Sequence, residues 1–520
     1  MDLIGERNLR DLLTERANRY PDKTYLVFED QAGNVLEYTY AEFLIHVQSA
    51  AAGFASLGIA KGDAVVIQLP NCPEFLFAWF GIGWIGAIAV PSNTANTAPE
   101  MRHILDLSDA VAVVCSPPYR QVIDDALESA DGVRHRILAR MPGAAPEGWT
   151  SYDEMVAVHQ PAADVAVGSE DVMQMIFTSG TTSQPKAVML THANCLHSGE
   201  RASRCTAVSD SDRVLTALPA FHVNAQSLTV LAALTVGATC VLLEEYRASK
   251  FWDQIRRHEA TAVSLVAMQV RTLLAQPAAQ TDRDHAVRRN FYAINVLDSE
   301  KAEFERRFGL ELVNGYGLSE TMTVVTIAPV FGEKRWPSIG LPAYDRQVRI
   351  VDADGEDVPT GDVGEIIVSG IPGRTIMKGY FKDPEATAQA IRDGWFYSGD
   401  NGYVDEKGYV YFFDRQKDVI KRAGENISAS EVEAALLLHD HILEAAVIGV
   451  PDPIRDEAVK AFVVIGGGVE LTADQIIEHC GSRLAPFKVP TLVEFVDSLP
   501  KTSVGKIEKK ALRASESGAR

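Results

Sequence analysis

The sequence predicts an α/β fold: a large N-terminal domain of layered α/β subdomains plus a β-rich subdomain, followed by a small α+β C-terminal domain. Three observations support this prediction. Strand and helix patterns alternate along the first half of the chain, short strands between Gly, Asp and Pro turns occupy 345–415, and a new helix begins after 418. The predicted boundaries are 1–414 for the N-terminal domain, 415–418 for the joining segment and 419–520 for the C-terminal domain.

Each predicted element has its own pattern. Apolar residues spaced near 3.6 predict helices at 9–13, 42–57 and 101–107, and short runs of β-branched and apolar residues predict strands at 24–28, 64–69, 111–115 and 173–177. Residues 75–90 are uncharged and apolar but shorter than the roughly 20 residues that span a bilayer, so we predict a buried helix followed by a strand. Further strands are predicted at 347–351, 364–368, 408–413, 444–450, 460–465 and 492–496, with helices at 430–438 and 473–483.

Composition excludes several classes of protein. The 520 residues carry a formal charge of −21, which argues against sequence-independent nucleic-acid binding but leaves room for an anionic substrate held by local cations. Six cysteines occur without C-x-x-C spacing, so neither a zinc site nor a disulfide framework is indicated. The N-terminus lacks the pattern of a secretory signal. We therefore expect a cytoplasmic protein with reduced thiols and no membrane insertion.

The stretch 178–186 reads Thr-Ser-Gly-Thr-Thr-Ser-Gln-Pro-Lys and follows a predicted strand. Backbone N–H groups and hydroxyls can donate to phosphate oxygens, and Lys186 adds a positive charge, so this composition suits a polyanion. It is not a Walker A loop, because G-x-x-x-x-G-K-[ST] is absent. Taken alone, the stretch could equally be a solvated Ser/Thr turn.

Other stretches combine residue types that suit chemistry. In Asn-Gly-Tyr-Gly-Leu-Ser-Glu-Thr, glycines allow close backbone approach, Tyr316 offers a stacking face and Glu320 could hold a hard cation. Asp400 follows a tight turn and suits a ribose diol, charges alternate over 414–418, and Lys506 lies on a Gly-containing loop near the C-terminus. Each stretch alone has a structural alternative: a turn, a hairpin tip, a solvated charge run or a polar tail.

Taken together and in this order, the stretches resemble the adenylate-forming superfamily of acyl-CoA synthetases, nonribosomal-peptide adenylation domains and beetle luciferases. The resemblance covers nearly the whole chain, and its most specific segments are TSGTTSQPK, NGYGLSET, YSGD, DRQKD, IKRAGENIS and PKTSVGK. Within the superfamily the sequence is most similar to bacterial carnitine/crotonobetaine–CoA ligases, in NCPEFLFAWFG, PAFH, KRWPSIG, GIPGRTIMKGYF and IRDEAVKAFVV. The resemblance implies that the C-terminal domain is mobile.

The resemblance implies roles for particular residues. Those expected to bind ATP or AMP are Thr178, Ser179, Gly180, Thr181, Thr182, Lys186, Asn314, Gly315, Tyr316, Gly317, Thr321, Asp400 and Arg415. Those expected to act in catalysis are Lys506, Glu320 and His222, with Glu320 and Thr181 also expected at the metal. The acyl pocket is expected to include Phe221, His222 and Asn224, CoA is expected at Gly424 and Glu425, and the hinge residue is expected to be Lys417.

Some of these roles are specific. Tyr316 would stack on adenine, Asp400 and Arg415 would bind the ribose hydroxyls, and Lys506 would reach the substrate carboxylate and the α-phosphate. Asn224 stands where a carboxylate would best complement a trimethylammonium group, so the sequence does not predict which acid is used.

The function implied by the resemblance is that of an ATP-dependent carboxylic acid–CoA ligase. The acid and ATP would give acyl-AMP and pyrophosphate, and CoA would then displace AMP to give acyl-CoA. Expected cofactors are ATP, Mg²⁺ and CoA as co-substrate. Expected partners are a small-molecule carboxylic acid and CoA, with no nucleic acid, and a homodimer is left open. The alternative function is a stand-alone adenylation enzyme that loads an acyl group onto a separate carrier protein.

Overall fold

The structure is a computed structural model and describes residues 4–128, 132–157, 165–178, 185–293, 296–415, 418–422, 425–452, 456–466, 468–469, 471–501 and 507–518. Contacts between Cα atoms divide the chain into two compact units. Unit 1 is Met1–Val348 with Val368–Tyr397, and unit 2 is Arg349–Ile367 with Ser398–Arg520. A domain boundary at 415–418 stays a prediction.

The helices follow one another along the chain. They are α1 (Leu9–Arg19), α2 (Tyr40–Ser56), α3 (Pro73–Trp84), α4 (Ala98–Ser108), α5 (Arg120–Leu127), α6 (Tyr152–Val156), α7 (His192–Thr206), α8 (Val223–Ala225), α9 (Ala232–Val236), α10 (Ala248–Arg257), α11 (Ala267–Leu274), α12 (Asp298–Phe308), α13 (Pro384–Ala390), α14 (Ala429–Leu437), α15 (Ala473–Gly481) and α16 (Lys509–Gly518). A 3₁₀ turn covers Pro117–Tyr119, and a π-helix covers Gln226–Leu231.

The strands complete the element order. They are β1 (Thr24–Glu29), β2 (Val35–Thr39), β3 (Ala64–Gln68), β4 (Ile88–Pro91), β5 (Ala110–Cys115), β6 (His135–Leu138), β7 (Thr150–Ser151), β8 (Val172–Thr178), β9 (Lys186–Thr191), β10 (Arg213–Thr216), β11 (Thr239–Leu243), β12 (Ala262–Val266), β13 (Arg289–Ala293), β14 (Val313–Leu318), β15 (Thr323–Ile327), β16 (Leu341–Pro342), β17 (Val348–Val351), β18 (Gly364–Ser369), β19 (Gly379–Tyr380), β20 (Ile391–Arg392), β21 (Trp395–Val404), β22 (Val410–Arg415), β23 (Val419–Arg422), β24 (Glu425–Ser428), β25 (Ile442–Asp452), β26 (Asp456–Ile465) and β27 (Leu492–Phe495).

Unit 1 is built on two sheets. The first has the order β16-β15-β14-β13-β12-β10-β11-β1-β2, and the second has the order β19-β9-β8-β4-β3-β5-β6-β7. In the first sheet β10, β12 and β13 run parallel, and β13 continues the parallel pairing to the start of β14. In the second sheet β8 and β9 form an antiparallel pair. This layered α/β arrangement confirms the predicted fold class for the large domain.

Local sequence explains why several helices of unit 1 begin where they do. At α1, α2 and α7, the side chains of Asn8, Thr39 and Thr191 accept hydrogen bonds from the backbone N–H of the third helical residue. The side chain of that third residue accepts in turn from the backbone N–H of the cap residue. α3 starts at Pro73, whose missing N–H costs nothing in a first turn, and it is apolar and buried along 75–83. This confirms the predicted buried helix followed by a strand. Across the described ranges, no helix is long and apolar enough to cross a membrane.

Unit 2 contains a sheet with the order β24-β23-β26-β25, and β27 runs parallel to β26. Apolar side chains from α14, α15 and this sheet form one buried cluster. β21 and β22 pair antiparallel in the same unit. The predicted helices and strands beyond 430 are confirmed, and the strand predicted at 408–413 lies at β22, two residues further along.

Candidate functional site

Both ends of the predicted phosphate loop lie on paired strands. Thr178 ends β8, Lys186 begins β9, and the two residues are directly opposite each other in the antiparallel register. The residues between them that were expected to bind ATP, namely Ser179, Gly180, Thr181 and Thr182, lie outside the described residues. The strand pairing therefore fixes where this loop leaves and re-enters the sheet.

Lys186, Tyr380 and Glu320 form a cluster at this point. β19 pairs with β9, and the Lys186 ammonium nitrogen lies 4.9 Å from the centroid of the Tyr380 ring. The Tyr380 hydroxyl donates to Glu320 Oε1 at 3.0 Å. Burial raises the pKa of Tyr380, and the adjacent Glu320 carboxylate raises it further, so the hydroxyl keeps its proton and acts as a donor. The cluster thus joins a cation, a phenol and a half-buried carboxylate.

The turn that carries Glu320 is tightly held. The backbone carbonyl of Glu320 accepts a hydrogen bond from the N–H of Met377 at 2.7 Å. Thr321 is fully buried, and its hydroxyl donates to the carbonyl of Thr323 at 2.7 Å. Met322 and Thr323 both adopt left-handed backbone, with φ of 47° and 62°. Such conformations cost free energy in residues other than Gly and persist where the surroundings impose them.

A buried arginine, Arg346, donates hydrogen bonds to the same turn and its surroundings. Arg346 Nη2 donates to the carbonyls of Thr321 at 2.9 Å and Thr375 at 2.5 Å. Asp345, the residue before Arg346, accepts two parallel hydrogen bonds from Arg201. Its negative charge is therefore shared between Arg201 and Arg346. Burial lowers the pKa of Arg346, and the charge of Arg201 lowers it further. Because a guanidinium stays protonated in proteins, a cationic side chain lies beneath the Glu320 turn despite this shift.

The Asn-Gly-Tyr-Gly stretch occupies β14. Asn314 is buried, and its amide donates to the carbonyl of Ser338 at 2.9 Å, which ties β14 to the loop before β16. A Cβ atom at Gly315 would lie 2.5 Å from the Phe291 ring, and one at Gly317 would lie 2.5 Å from the backbone of Thr323. The glycines are therefore needed for close packing. Adenine stacking on Tyr316 stays a prediction.

The expected acyl-pocket residues Phe221 and His222, which we call the aromatic gate, follow β10. The rings of Phe221 and His222 lie 4.7 Å apart, and His222 is the N-cap residue of α8. Asn224, on α8, accepts a hydrogen bond from the Ser264 hydroxyl of β12 at 2.8 Å. The structure thus brings the three expected acyl-pocket residues together at the end of β10 and beside β12. Their contact with an acid stays a prediction.

The predicted ribose-binding pair lies in unit 2. Asp400 on β21 is directly opposite Arg415 on β22, and Arg415 Nε is 3.6 Å from Asp400 Oδ1. Asp400 is buried, whereas the Arg415 side chain is 46% exposed. The adjacent Asp414 accepts from the N–H of Ser430 at 3.0 Å and so anchors the start of α14. A carboxylate and a guanidinium side by side can accept from and donate to neighbouring hydroxyls.

The remaining expected residues cannot be placed. Lys417, Gly424 and Lys506 lie outside the described residues, as does the side chain of Glu425. Sequence reasoning missed Tyr380 and Arg346. Tyr380 belongs to GIPGRTIMKGYF, a segment that supported the resemblance without a chemical role, and only strand pairing shows its contact with Glu320. Arg346 carried no signal beyond being charged within a strand-rich region.

Comparison with known families decides the class of the protein. The model of the AMP-binding enzyme family matches residues 13–381, and the model of the AMP-binding enzyme C-terminal domain matches residues 431–506. The chain belongs to the AMP-binding enzyme family. The resemblance drawn from the motifs is thereby confirmed, and the Lys186–Tyr380–Glu320 cluster lies within the larger matched region.

Similar proteins place this AMP-binding enzyme among the acid–CoA ligases. A crotonobetaine/carnitine–CoA ligase of Salmonella enteritidis PT4 is 40% identical over 520 residues, covering 99% of this chain and 100% of the relative. The anthranilate CoA ligase AuaEII in complex with anthranoyl-AMP superposes with a TM-score of 0.89 at 26% identity, over 100% and 99% of the two chains. ATP-bound MatB from Rhodopseudomonas palustris superposes with a TM-score of 0.85 at 27% identity, over 98% and 99%.

These relatives confirm the predicted class of enzyme, an AMP-forming acid–CoA ligase. They also confirm the predicted architecture of a large α/β domain and a C-terminal domain. The family is ATP-dependent and uses CoA as a substrate.

Proposed function

We propose that the Lys186–Tyr380–Glu320 cluster binds the ATP triphosphate and its Mg²⁺, and that a carboxylic acid is adenylated beside it. The observation that supports this most is the 3.0 Å hydrogen bond from Tyr380 to Glu320. The Tyr380 ring also lies beside Lys186, the last residue of the Ser/Thr loop 178–186 that was predicted to bind phosphate. One carboxylate suffices for Mg²⁺, which keeps several waters and takes further oxygens from substrate phosphates. The donor set thus fits that ion, which would neutralise phosphate charge when bound.

The first half-reaction activates the acid. A carboxylate is a poor electrophile because two oxygens share its negative charge. One carboxylate oxygen attacks the α-phosphorus of ATP, the bond from that phosphorus to the bridging oxygen breaks, and pyrophosphate leaves with the electron pair. Lys186 and the predicted Lys506 supply positive charge where two anions must meet.

The second half-reaction forms the thioester. The thiolate of CoA attacks the acyl carbon and AMP leaves, with Gly424 and Glu425 as the proposed CoA contacts. A separate acyl-carrier protein as the acceptor is the alternative, and the names of the similar proteins favour CoA. Asp400 and Arg415 are the proposed partners of the ribose hydroxyls, because they are adjacent on β21 and β22.

The proposed substrate is a small to medium carboxylic acid, with crotonobetaine and carnitine as the first candidates because of the named relatives. The Asn224–Ser264 pair is neutral, which suits an acid with a hydrogen-bonding group at least as well as one with a cationic head. All six cysteines are free, which supports the proposed cytoplasmic location.

The test is an acid-dependent ATP–pyrophosphate exchange screen over a carboxylate panel that includes crotonobetaine, carnitine, benzoate and anthranilate. We expect exchange with one chemical group of acids, followed by thioester formation on addition of CoA. Exchange with no acid would refute the adenylation proposal. Exchange without thioester on CoA, but with thioester on a carrier protein, would establish the alternative acceptor.

A further inference from the structure

The chain segment that follows the aromatic gate changes its helical type. α8 ends at Ala225, the π-helix runs over Gln226–Leu231, and α9 continues from Ala232. Every residue of the π-helix is buried. π-helical turns are rare, occur mostly as single turns inside α-helices and are frequent at functional sites. The wide turn places two consecutive polar residues, Gln226 and Ser227, inside unit 1.

Gln226 belongs to a line of buried amides that ends at the gate. Trp79 Nε1 donates to Gln174 Oε1 at 3.0 Å, and Gln174 Nε2 donates to Gln226 Oε1 at 2.9 Å. Gln226 Nε2 donates to the carbonyl of Ala220 at 3.0 Å, immediately before the gate residues. Gln174 lies on β8, the strand that leads to the Ser/Thr loop. One side chain therefore joins the gate to this strand.

Ser227 belongs to a line of buried hydroxyls that ends at the Glu320 turn. Its Oγ lies 2.5 Å from Ser198 Oγ and 2.5 Å from Thr323 Oγ1. Ser198 Oγ also donates to the carbonyl of Met322 at 3.1 Å. Met322 and Thr323 are the two residues with left-handed backbone directly after Glu320–Thr321. These hydroxyls therefore bond to Met322 and Thr323, the two residues of the turn whose backbone conformation costs free energy.

The two lines meet, since Gln174 Nε2 lies 3.7 Å from Met322 Sδ. Removing one member of a buried hydrogen-bonded set leaves its partner unsatisfied, which costs more than the bond itself contributes. A change in the π-helix should therefore shift the groups that it holds, on the gate side through Gln226 and on the turn side through Ser227.

We propose that Gln226 and Ser227 are positioning residues that set the acid-binding gate and the metal-binding Glu320 turn in one fixed geometry. Gln226 acts on the gate through the Ala220 carbonyl, and Ser227 acts on the turn through Thr323 and Met322. The proposal rests on the proposed function, because it assigns the acid to the gate and Mg-nucleotide to the turn. It gives the π-helix the role of coupling two substrate sites.

The first test needs no acid. The full chain, Ser227→Ala, Thr323→Val and the double variant are titrated calorimetrically with the non-hydrolysable ATP analogue adenylyl imidodiphosphate in excess Mg²⁺. Each single variant should raise Kd roughly tenfold, and the double variant should raise it no further than Ser227→Ala does, because Ser227→Ala already removes the hydrogen bond that Thr323→Val removes. The matched control is Thr229→Val, a buried hydroxyl in the same π-helix that has no hydrogen-bond partner among the described residues. It should stay within roughly twofold.

Melting temperatures separate positioning from mere stability. A lowered melting temperature with an unchanged Kd would overturn the proposal for Ser227, as would losses that multiply in the double variant. A folded Ser227→Ala variant with weakened Mg-nucleotide binding, and a Thr229→Val control without it, would support it.

The second test separates the two sides of the π-helix. In ATP–pyrophosphate exchange with crotonobetaine, or the acid of highest exchange in the panel above, Gln226→Met should raise the acid KM roughly tenfold and the MgATP KM less. Ser227→Ala should show the reverse. The same pattern in both variants would refute separate roles. If no acid supports exchange, the proposed function fails while the calorimetric test still decides the role of Ser227.

Discussion

The Glu320 carboxylate is held by a hydroxyl that lies 60 residues further along the chain. A hydrogen bond is directional, so this 3.0 Å contact lets Tyr380 orient the carboxylate before any ion arrives. The same ring lies beside Lys186, so one side chain keeps the cation and the anion at defined positions. This is the property that a site for a metal–phosphate complex requires.

Tyr380→Phe tests that hydrogen bond alone. It removes the donor to Glu320 and keeps the ring beside Lys186, so adenylation should slow by roughly tenfold, the usual loss for a hydrogen bond to a charged group. The measurement is the rate of ATP–pyrophosphate exchange at saturating acid. Tyr411→Phe is the control, because Tyr411 donates to the Asp405 carboxylate at 3.3 Å and belongs to unit 2, whereas the cluster belongs to unit 1. Equal losses in both variants would contradict a special role for Tyr380.

Glu320→Gln tests the metal. It keeps the volume and an oxygen that can accept from Tyr380 but removes the charge, so the Mg²⁺ concentration for half-maximal exchange should rise more than the acid KM. The measurement is a Mg²⁺ titration at fixed ATP, with the exposed Glu303→Gln as control. An unchanged Mg²⁺ titration would reduce Glu320 to a residue that stabilises its turn.

At the scale of elements, periodicity predicted what depends on local pattern. The apolar run of α3, the β8 strand and the α+β elements beyond 430 were all foreseen, because each is long enough to show a period. The two-residue strand β19 and the π-helix were not, since neither has a pattern of its own. β19 exists through its pairing with β9, and that pairing brings Tyr380 to Glu320. The motif residues could be named from the sequence and their roles stay predictions, whereas the contacts that support them come from long-range pairing.

The docking of α1 on α7 predicts a dependence of stability on pH. His192, the first residue of α7, accepts from the N–H of Leu9 at 3.4 Å and is fully buried. Burial lowers its pKa from 6.5 to about 4, an effect that the nearby Asp171 carboxylate only partly offsets. Between these values the unfolded chain binds a proton that the folded chain does not, so stability is full above pH 6.5 and falls as pH drops towards 4.

The loss should be on the order of 3 kcal/mol across that window. Urea unfolding midpoints between pH 7.5 and 4.5 measure it, with His192→Gln as the comparison, because Gln can still accept from Leu9 and does not titrate. The variant should show a shallower fall than the parent chain. Parallel curves would show that other groups cause the acid sensitivity.

At the scale of the whole molecule, the chain and its proposed substrates carry charges of the same sign. The chain carries a net charge of −21, yet ATP and CoA are polyanions. We propose that local cations overcome this repulsion: Lys186 lies at the end of the expected phosphate loop, and the buried Arg346 lies beneath the Glu320 turn. Such groups act at short range in a region of low dielectric constant, where they outweigh distant surface charge.

The two half-reactions also make a demand on the whole molecule. Lys506 and Gly424 belong to the same predicted C-terminal domain but are assigned to different steps, so one rigid arrangement is unsuited to both. We predict that this domain turns between the steps and that Lys417 supplies the changing backbone dihedral angles. Proline fixes φ near −65° and removes the N–H donor, so Lys417→Pro should restrict that change.

Lys417→Pro should leave adenylation within roughly tenfold of the parent rate and slow thioester formation far more, as expected for a hinge. Pyrophosphate exchange and release of the CoA thioester are measured separately on one preparation. Lys417→Ala is the control, because it removes the side chain and keeps the backbone free, and it should slow thioester formation much less than Pro does. If Ala slowed it as much as Pro, the side chain would be the functional group. If Pro reduced both half-reactions equally, Lys417 would not be the pivot, because a hinge affects the step that follows the turn and spares the one before it.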